Sequence, residues 1–313
     1  MSVAADPIQL RPLGLGEIFD RAVTLYVRNF AGFSIIALFL LVPISIANYF
    51  ALNDSTSMTA LLQQMQHPHP GATPALPFSP ALVWLIAIGV VLTPFANVAT
   101  ATGVARLYAR DSVDWRRCYG SALRRWPQIL LVLLVQIAIF AGAAIAGALG
   151  VGICAGLSVA LFAAGAFAGV VGIVVTVAVF FAWLAVLLML YLAAMFMFDA
   201  VAIEAAPLRS SIASGFDRIF NRVEFKKALL VGISVFAIQL GFFIIASIVV
   251  AVLESLVKSH AIDTIAQGVL SLLATTFLAV LIAVYYYDVR VRREGLDLQT
   301  SVEQMIAGTQ PQA

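Results

Sequence analysis

The chain has 313 residues, 62% hydrophobic and 11% charged, with a formal net charge of +2 and a mean hydropathy of +1.02. A soluble domain needs roughly 25% charged residues to solvate its surface, so a soluble fold is excluded. A secreted disulfide scaffold, a disordered chain and a nucleic-acid module are excluded by the same composition. The composition that remains is that of an all-α polytopic membrane protein, a single membrane domain over 1–313.

The first element is an amphipathic helix. Ile18, Phe19, Ala22, Leu25 and Tyr26 fall on one face, and Glu17, Asp20, Arg21, Thr24 and Arg28 on the other, at the period of a helix lying in a membrane interface. Phe30 to Leu52 follows, uncharged and long enough to cross a bilayer, with Pro43 inside it. The polar stretch before it is too long for a cleaved signal peptide, so this span is expected to act as an uncleaved signal-anchor. Residues 53–80 read as an outer, Pro-rich loop. His67 and His69 in it lack the cysteine or carboxylate companions that a metal site would need.

The second span is Ala81 to Ala105, with Thr93-Pro94 near its middle. A proline frees a carbonyl that a nearby amide can satisfy, which makes Pro94 and Asn97 candidates for a kinked helix lining a cavity. A second basic amphipathic segment sets Tyr119, Ala122, Leu123 and Trp126 against Arg117, Ser121, Arg124 and Arg125. An uncharged stretch then runs from Gln128 to Phe198, long enough for two spans with a Gly-rich connection or three with tight turns. A third basic segment places Ile212, Phe216, Ile219, Phe220 and Val223 opposite Ser214, Asp217, Arg218, Asn221 and Arg222. Ala228 to Leu253 and Ile265 to Tyr287 are the remaining runs, and 291–313 is expected to be a cytoplasmic tail.

Charge decides between two and three spans in the long stretch. All of the 18 basic residues except Lys258 fall in four segments: the N-terminus, 106–127, 199–227 and the tail. Basic loops lie on the cytoplasmic side, and four can share it only if Gln128 to Phe198 crosses an even number of times. Six spans follow, with both termini cytoplasmic and the third and fourth near 128–152 and 172–197. Gly150, Gly152, Gly156, Gly165 and Gly169 all offer the turn. Cys118 and Cys154 fall on opposite sides and form no disulfide.

The pattern repeats. Phe30, Trp126 and Phe225 each mark the entry of a basic amphipathic segment into the membrane, and they stand 96 and 99 residues apart. One interfacial helix plus one helical hairpin, used three times over about 10–105, 115–198 and 208–290, accounts for the spacing. Gly142, Ala146 and Gly150, with Gly165 and Gly169, recur every four positions and permit close helix approach, within the chain or across a dimer.

A family resemblance enters at the two ends. The opening from Leu10-Arg11-Pro12-Leu13 to Phe19-Asp20-Arg21-Ala22, and the ending Tyr286-Tyr287-Asp288-Val289-Arg290-Val291-Arg292-Arg293, resemble those of bacterial membrane proteins of the glycerophosphoryl diester phosphodiesterase membrane domain family. The resemblance implies a multi-pass protein of the bacterial inner membrane. It does not imply the phosphodiesterase activity, because the catalytic barrel of the fused members would require roughly 250 further residues.

No hydrolase elbow, zinc-protease motif, phosphate loop or cysteine pair is present in the sequence, so the expectation is a non-enzymatic protein without cofactor or metal. Asp199 and Glu204 are placed just past the fourth span. The polar residues within spans, Asn48, Thr93, Asn97, Thr100, Thr102, Gln136, Gln239 and Gln267, read first as interhelical hydrogen-bond partners. The cationic residues Arg116, Arg117, Arg124, Arg125, Arg222, Lys226 and Lys227, with Trp126, are the candidate contacts for lipid headgroups or a protein partner. Membrane lipids, a protein partner or a second copy of the chain are the expected partners, and nucleic acid is not. The function expected is that of a membrane scaffold or accessory, and the alternative is a transporter or channel for an uncharged or amphiphilic molecule.

Overall fold

The computed structural model describes residues 11–53, 80–222, 224–257 and 260–294. The Pro-rich loop with His67 and His69, Lys258 and the tail beyond Glu294 lie outside the described residues. Among the described residues the fold is all-helical, with no strand. Six helices are long and apolar enough to span a membrane, so the chain is a multi-pass membrane protein. The helices are α1 (Leu15–Arg28), α2 (Phe30–Asn53), α3 (Pro80–Tyr108), α4 (Trp115–Arg124), α5 (Trp126–Ala164), α6 (Ala166–Glu204), α7 (Leu208–Ile219), α8 (Phe225–Val257) and α9 (His260–Glu294).

The order short, long, long occurs three times. Phe30, Trp126 and Phe225 are the first residues of α2, α5 and α8, and all three remain exposed. Two of the short helices, α1 and α4, begin at side-chain caps, whereas α7 begins at Pro207 without one. Glu17, at the third position of α1, accepts the Gly14 N–H at 2.7 Å and pairs with Arg11 at 2.6 Å, the return half of a capping box. Asp114 accepts the Arg116 N–H at 3.0 Å at the start of α4.

The apolar face of α1 is covered by protein, where lipid was expected, and those of α4 and α7 are covered only in part, with Leu123 and Phe220 exposed. Ile18, Ala22, Leu25 and Tyr26 of α1, and Cys118 and Ala122 of α4, are buried. In α7 the buried residues are Ser211, Gly215, Arg218 and Ile219, which puts Arg218 on the inner face and not on the polar face to which periodicity assigns it. A residue with an internal partner overrides a stripe drawn from hydropathy alone.

The third and fourth spans are longer than expected. Both α5 and α6 are 39 residues, and the chain reverses at Gly165 alone, with φ 149° and ψ 151°. Such a φ is open to glycine and strained for other residues. The Gly165 N–H donates back to Leu161 and Phe162 at 3.2 Å, while Gly150, Gly152, Gly156 and Gly169 are ordinary helical residues. The hairpin is closed by small residues, of which only Gly169 belongs to the evenly spaced set: a Cβ there would lie 2.2 Å from the Phe162 ring. A Cβ on Gly147 would lie 2.0 Å from the Trp183 ring and one on Gly172 would lie 2.8 Å from Ser158 Cα, whereas Gly142 and Gly150 face open space. The Trp183 indole donates to the Ala143 carbonyl at 3.1 Å, Ser158 and Thr176 share a bond of 2.9 Å, and Gln136 donates to the Ala194 carbonyl at 2.7 Å. Gln136 is therefore the interhelical partner that its place in an apolar span implies.

The chain divides into two compact units. One comprises Met1–Arg21, Arg125–Ala237 and Leu281–Ala313; the other comprises Ala22–Arg124 and Ile238–Val280. In the first, α5, α6 and α7 pack on one another, and in the second, α2, α3 and α4 do.

Candidate functional site

The candidate residues sort by what their side chains touch. In the first unit, Lys227 and Arg125 are held inside the protein. Lys227 Nζ donates to Asp288 Oδ2 at 2.5 Å and to the Leu13 carbonyl at 2.8 Å. Asp288 has no exposed side-chain surface; its Oδ1 accepts the Leu13 N–H at 2.6 Å, and Arg292 Nε lies 3.1 Å from its Oδ2. Arg292 Nη2 donates to the Leu13 carbonyl at 2.6 Å. One residue of the N-terminal segment is thus gripped at both its N–H and its carbonyl by charged groups from α8 and α9.

One face round α9, a second cluster forms. The Tyr286 hydroxyl donates to the Glu204 carboxylate and accepts from Arg218. Arg218 Nη1 lies 2.9 Å and Arg290 Nε 3.2 Å from Glu204 Oε1. The guanidinium of Arg218 also sits 4.7 Å from the centre of the Tyr286 ring, within cation–π range. Residues four apart share a helix face, so Asp288 and Arg292 serve one cluster while Tyr286 and Arg290 serve the other. The alternation in Tyr286-Tyr287-Asp288-Val289-Arg290-Val291-Arg292 is the linear trace of that division, and it unites the two terminal segments that carry the family resemblance.

Asp199 and Glu204 lie within α6, not beyond it, because the helix continues to Glu204. Asp199 is buried, and its Oδ2 makes no hydrogen bond. Arg125 donates to the Val201 and Ala202 carbonyls, the latter at 2.8 Å, so it neutralises carbonyls in the last turn of α6. Trp126, Arg222 and Lys226 are exposed.

In the second unit, Arg116, Arg117 and Arg124 are exposed. Arg116 lies 5.2 Å from the centre of the Trp115 ring, and Arg117 is 3.5 Å from Asp114. Beneath them Tyr119 donates to the Ile36 carbonyl at 2.7 Å. Burial raises the Tyr119 hydroxyl to about 12 and the Cys118 thiol to about 11, so both stay neutral at physiological pH. Both cysteines are free. Pro94 is buried within α3. Asn97 lines a cavity of about 300 Å³, walled by α2, α3 and the first half of α9.

The chain matches no family model, and no curated relative or solved structure is similar to it.

Proposed function

We propose that this is a non-enzymatic scaffold or accessory of the bacterial inner membrane, with both termini cytoplasmic, which engages anionic lipid headgroups through its exposed cations. The observation that carries this reading is the separation of the basic residues into two sets. Arg125 and Lys227 are spent on internal partners, whereas Arg116, Arg124, Arg222 and Lys226 are exposed. Trp126 and Phe225, the exposed aromatics that open α5 and α8, mark the level at which headgroups meet acyl chains. Membership of the phosphodiesterase membrane domain family is part of this proposal and rests on the resemblance of the two terminal segments alone.

Cations near an anionic bilayer contribute about 1 kcal/mol each. Replacing Arg124, Arg222 and Lys226 by Gln should therefore weaken retention of phosphatidylglycerol by roughly a hundredfold, measured by native mass spectrometry from nanodiscs. Undiminished retention, or retention of a protein subunit in place of lipid, would overturn the headgroup reading. A second reading, a carrier for an uncharged or amphiphilic molecule, is supported by the cavity. It requires flux into liposomes that Asn97→Leu abolishes in a folded protein.

A further inference from the structure

The cavity of the second unit has two unlike walls. Thr93, Asn97 and Thr100 of α3 face Gln267, Ser271 and Thr275 of α9, while Leu40, Leu41 and Ile44 of α2 supply an apolar side. The polar residues of α9 recur at i, i+4 and i+8, one continuous stripe along a helix, and all three are exposed. Both stripes lie inside spanning segments. A hydrogen-bonding group open to hydrocarbon is costly unless something pairs with it; Thr275 donates along its own helix, so it is the exposed Gln267 amide at the end of the stripe that calls for an occupant.

The chemistry of the lining narrows that occupant. Among the described residues no charged one lines the cavity, and an ion placed there would lose its hydration without a counter-charge. Thr93 and Thr275 donate to carbonyls of their own helices, Gly89 and Ser271, at 2.7 and 2.9 Å, which leaves their oxygen lone pairs as acceptors. Gln267 adds an amide with both donors and an acceptor. A volume of about 300 Å³ is at the lower end for small-molecule pockets. We infer that this cavity binds the head of an uncharged amphiphile that carries N–H or O–H donors beside a carbonyl, with its chain laid along the Leu40, Leu41 and Ile44 wall. This site is independent of the basic surface, and its occupancy is separate from carriage, because binding stands whether or not flux occurs.

The test uses the full chain in phosphatidylcholine vesicles and a photoactivatable fatty-acid ethanolamide, whose head has one carbonyl and two donors. Label should map to residues 37–45, 93–100 and 267–279, and unlabelled ethanolamide should compete it away. A chain-matched alkyl sulfate should not compete, and neither should a water-soluble short diol. Gln267→Leu should cut labelling about tenfold, the scale of one or two hydrogen bonds. Gly268→Leu should do the same by filling space, since a Cβ there already lies 2.8 Å from Ser45 Oγ and 2.9 Å from Leu41 Cδ1. Label spread equally over α5 and α6, equal competition by the sulfate, or displacement by the diol alone would each overturn the proposal. The competition arms use the unaltered protein, so they decide the matter even where a variant does not fold.

Discussion

In the unit built on α5, α6 and α7, the Asp288 and Glu204 clusters close charged side chains upon one another; in the unit built on α2, α3 and α4, hydroxyls and amides are arranged around space. The Leu13–Lys227–Asp288–Arg292 cluster uses charged hydrogen bonds of 2.5 to 3.1 Å to tie segments 275 residues apart. Such a cluster fixes a chain terminus, because each member left alone would be a costly buried charge. Thr93 and Thr275 bond along their own helices, so these cavity hydroxyls hold little together and keep their acceptor lone pairs for a ligand. Buried paired charge serves architecture, while the neutral polarity around the cavity offers recognition.

The contrast predicts unequal responses to substitution. Asp288→Ala should have the largest effect, a loss of about 3–5 kcal/mol, read as a lowered midpoint in a detergent unfolding titration. A loss below about 1 kcal/mol would show that the cluster is ornamental. Arg125→Gln should cost about 1–2 kcal/mol by releasing the Val201 and Ala202 carbonyls, while Arg124→Gln one residue earlier should stay within about 0.5 kcal/mol. Equal costs at the two positions would erase the distinction between spent and exposed cations. The combined Thr93→Val and Thr275→Val change should be mild, about 1 kcal/mol in all. A larger cost would mean that the cavity hydroxyls are structural after all.

The spans were legible in the sequence because a run of apolar residues has few alternatives to crossing the bilayer, and Phe30, Trp126 and Phe225 marked the helix starts to the residue. The turn at Gly165 was not, since five glycines offered the same freedom and only the matched lengths of α5 and α6 select one. Nor was the inner orientation of Arg218, because an arginine paired with Glu204 and Tyr286 is indistinguishable by hydropathy from a solvated one. The Leu13–Asp288 pairing is beyond any local periodicity. The cavity was half visible: Thr93, Asn97, Thr100 and Gln267 stood out as polar residues in spans. The four-residue rhythm of Gln267, Ser271 and Thr275 was a usable signal that hydroxyls, common as they are in apolar helices, did not raise.

The α5–α6 hairpin has a consequence for the membrane itself. Each 39-residue arm is about 58 Å long at 1.5 Å per residue, nearly twice the roughly 30 Å hydrocarbon thickness of a bilayer. A tilt of about 60° would be needed to submerge it, beyond the observed range of up to about 40°. Its charged base at Arg125 and Glu204, its tip with Phe162 and Phe167 exposed, or both must therefore emerge from the hydrocarbon, or thicker bilayer is drawn around it. The hairpin acts as a gauge of thickness, and it biases the protein toward the thickest regions of the membrane in which it sits.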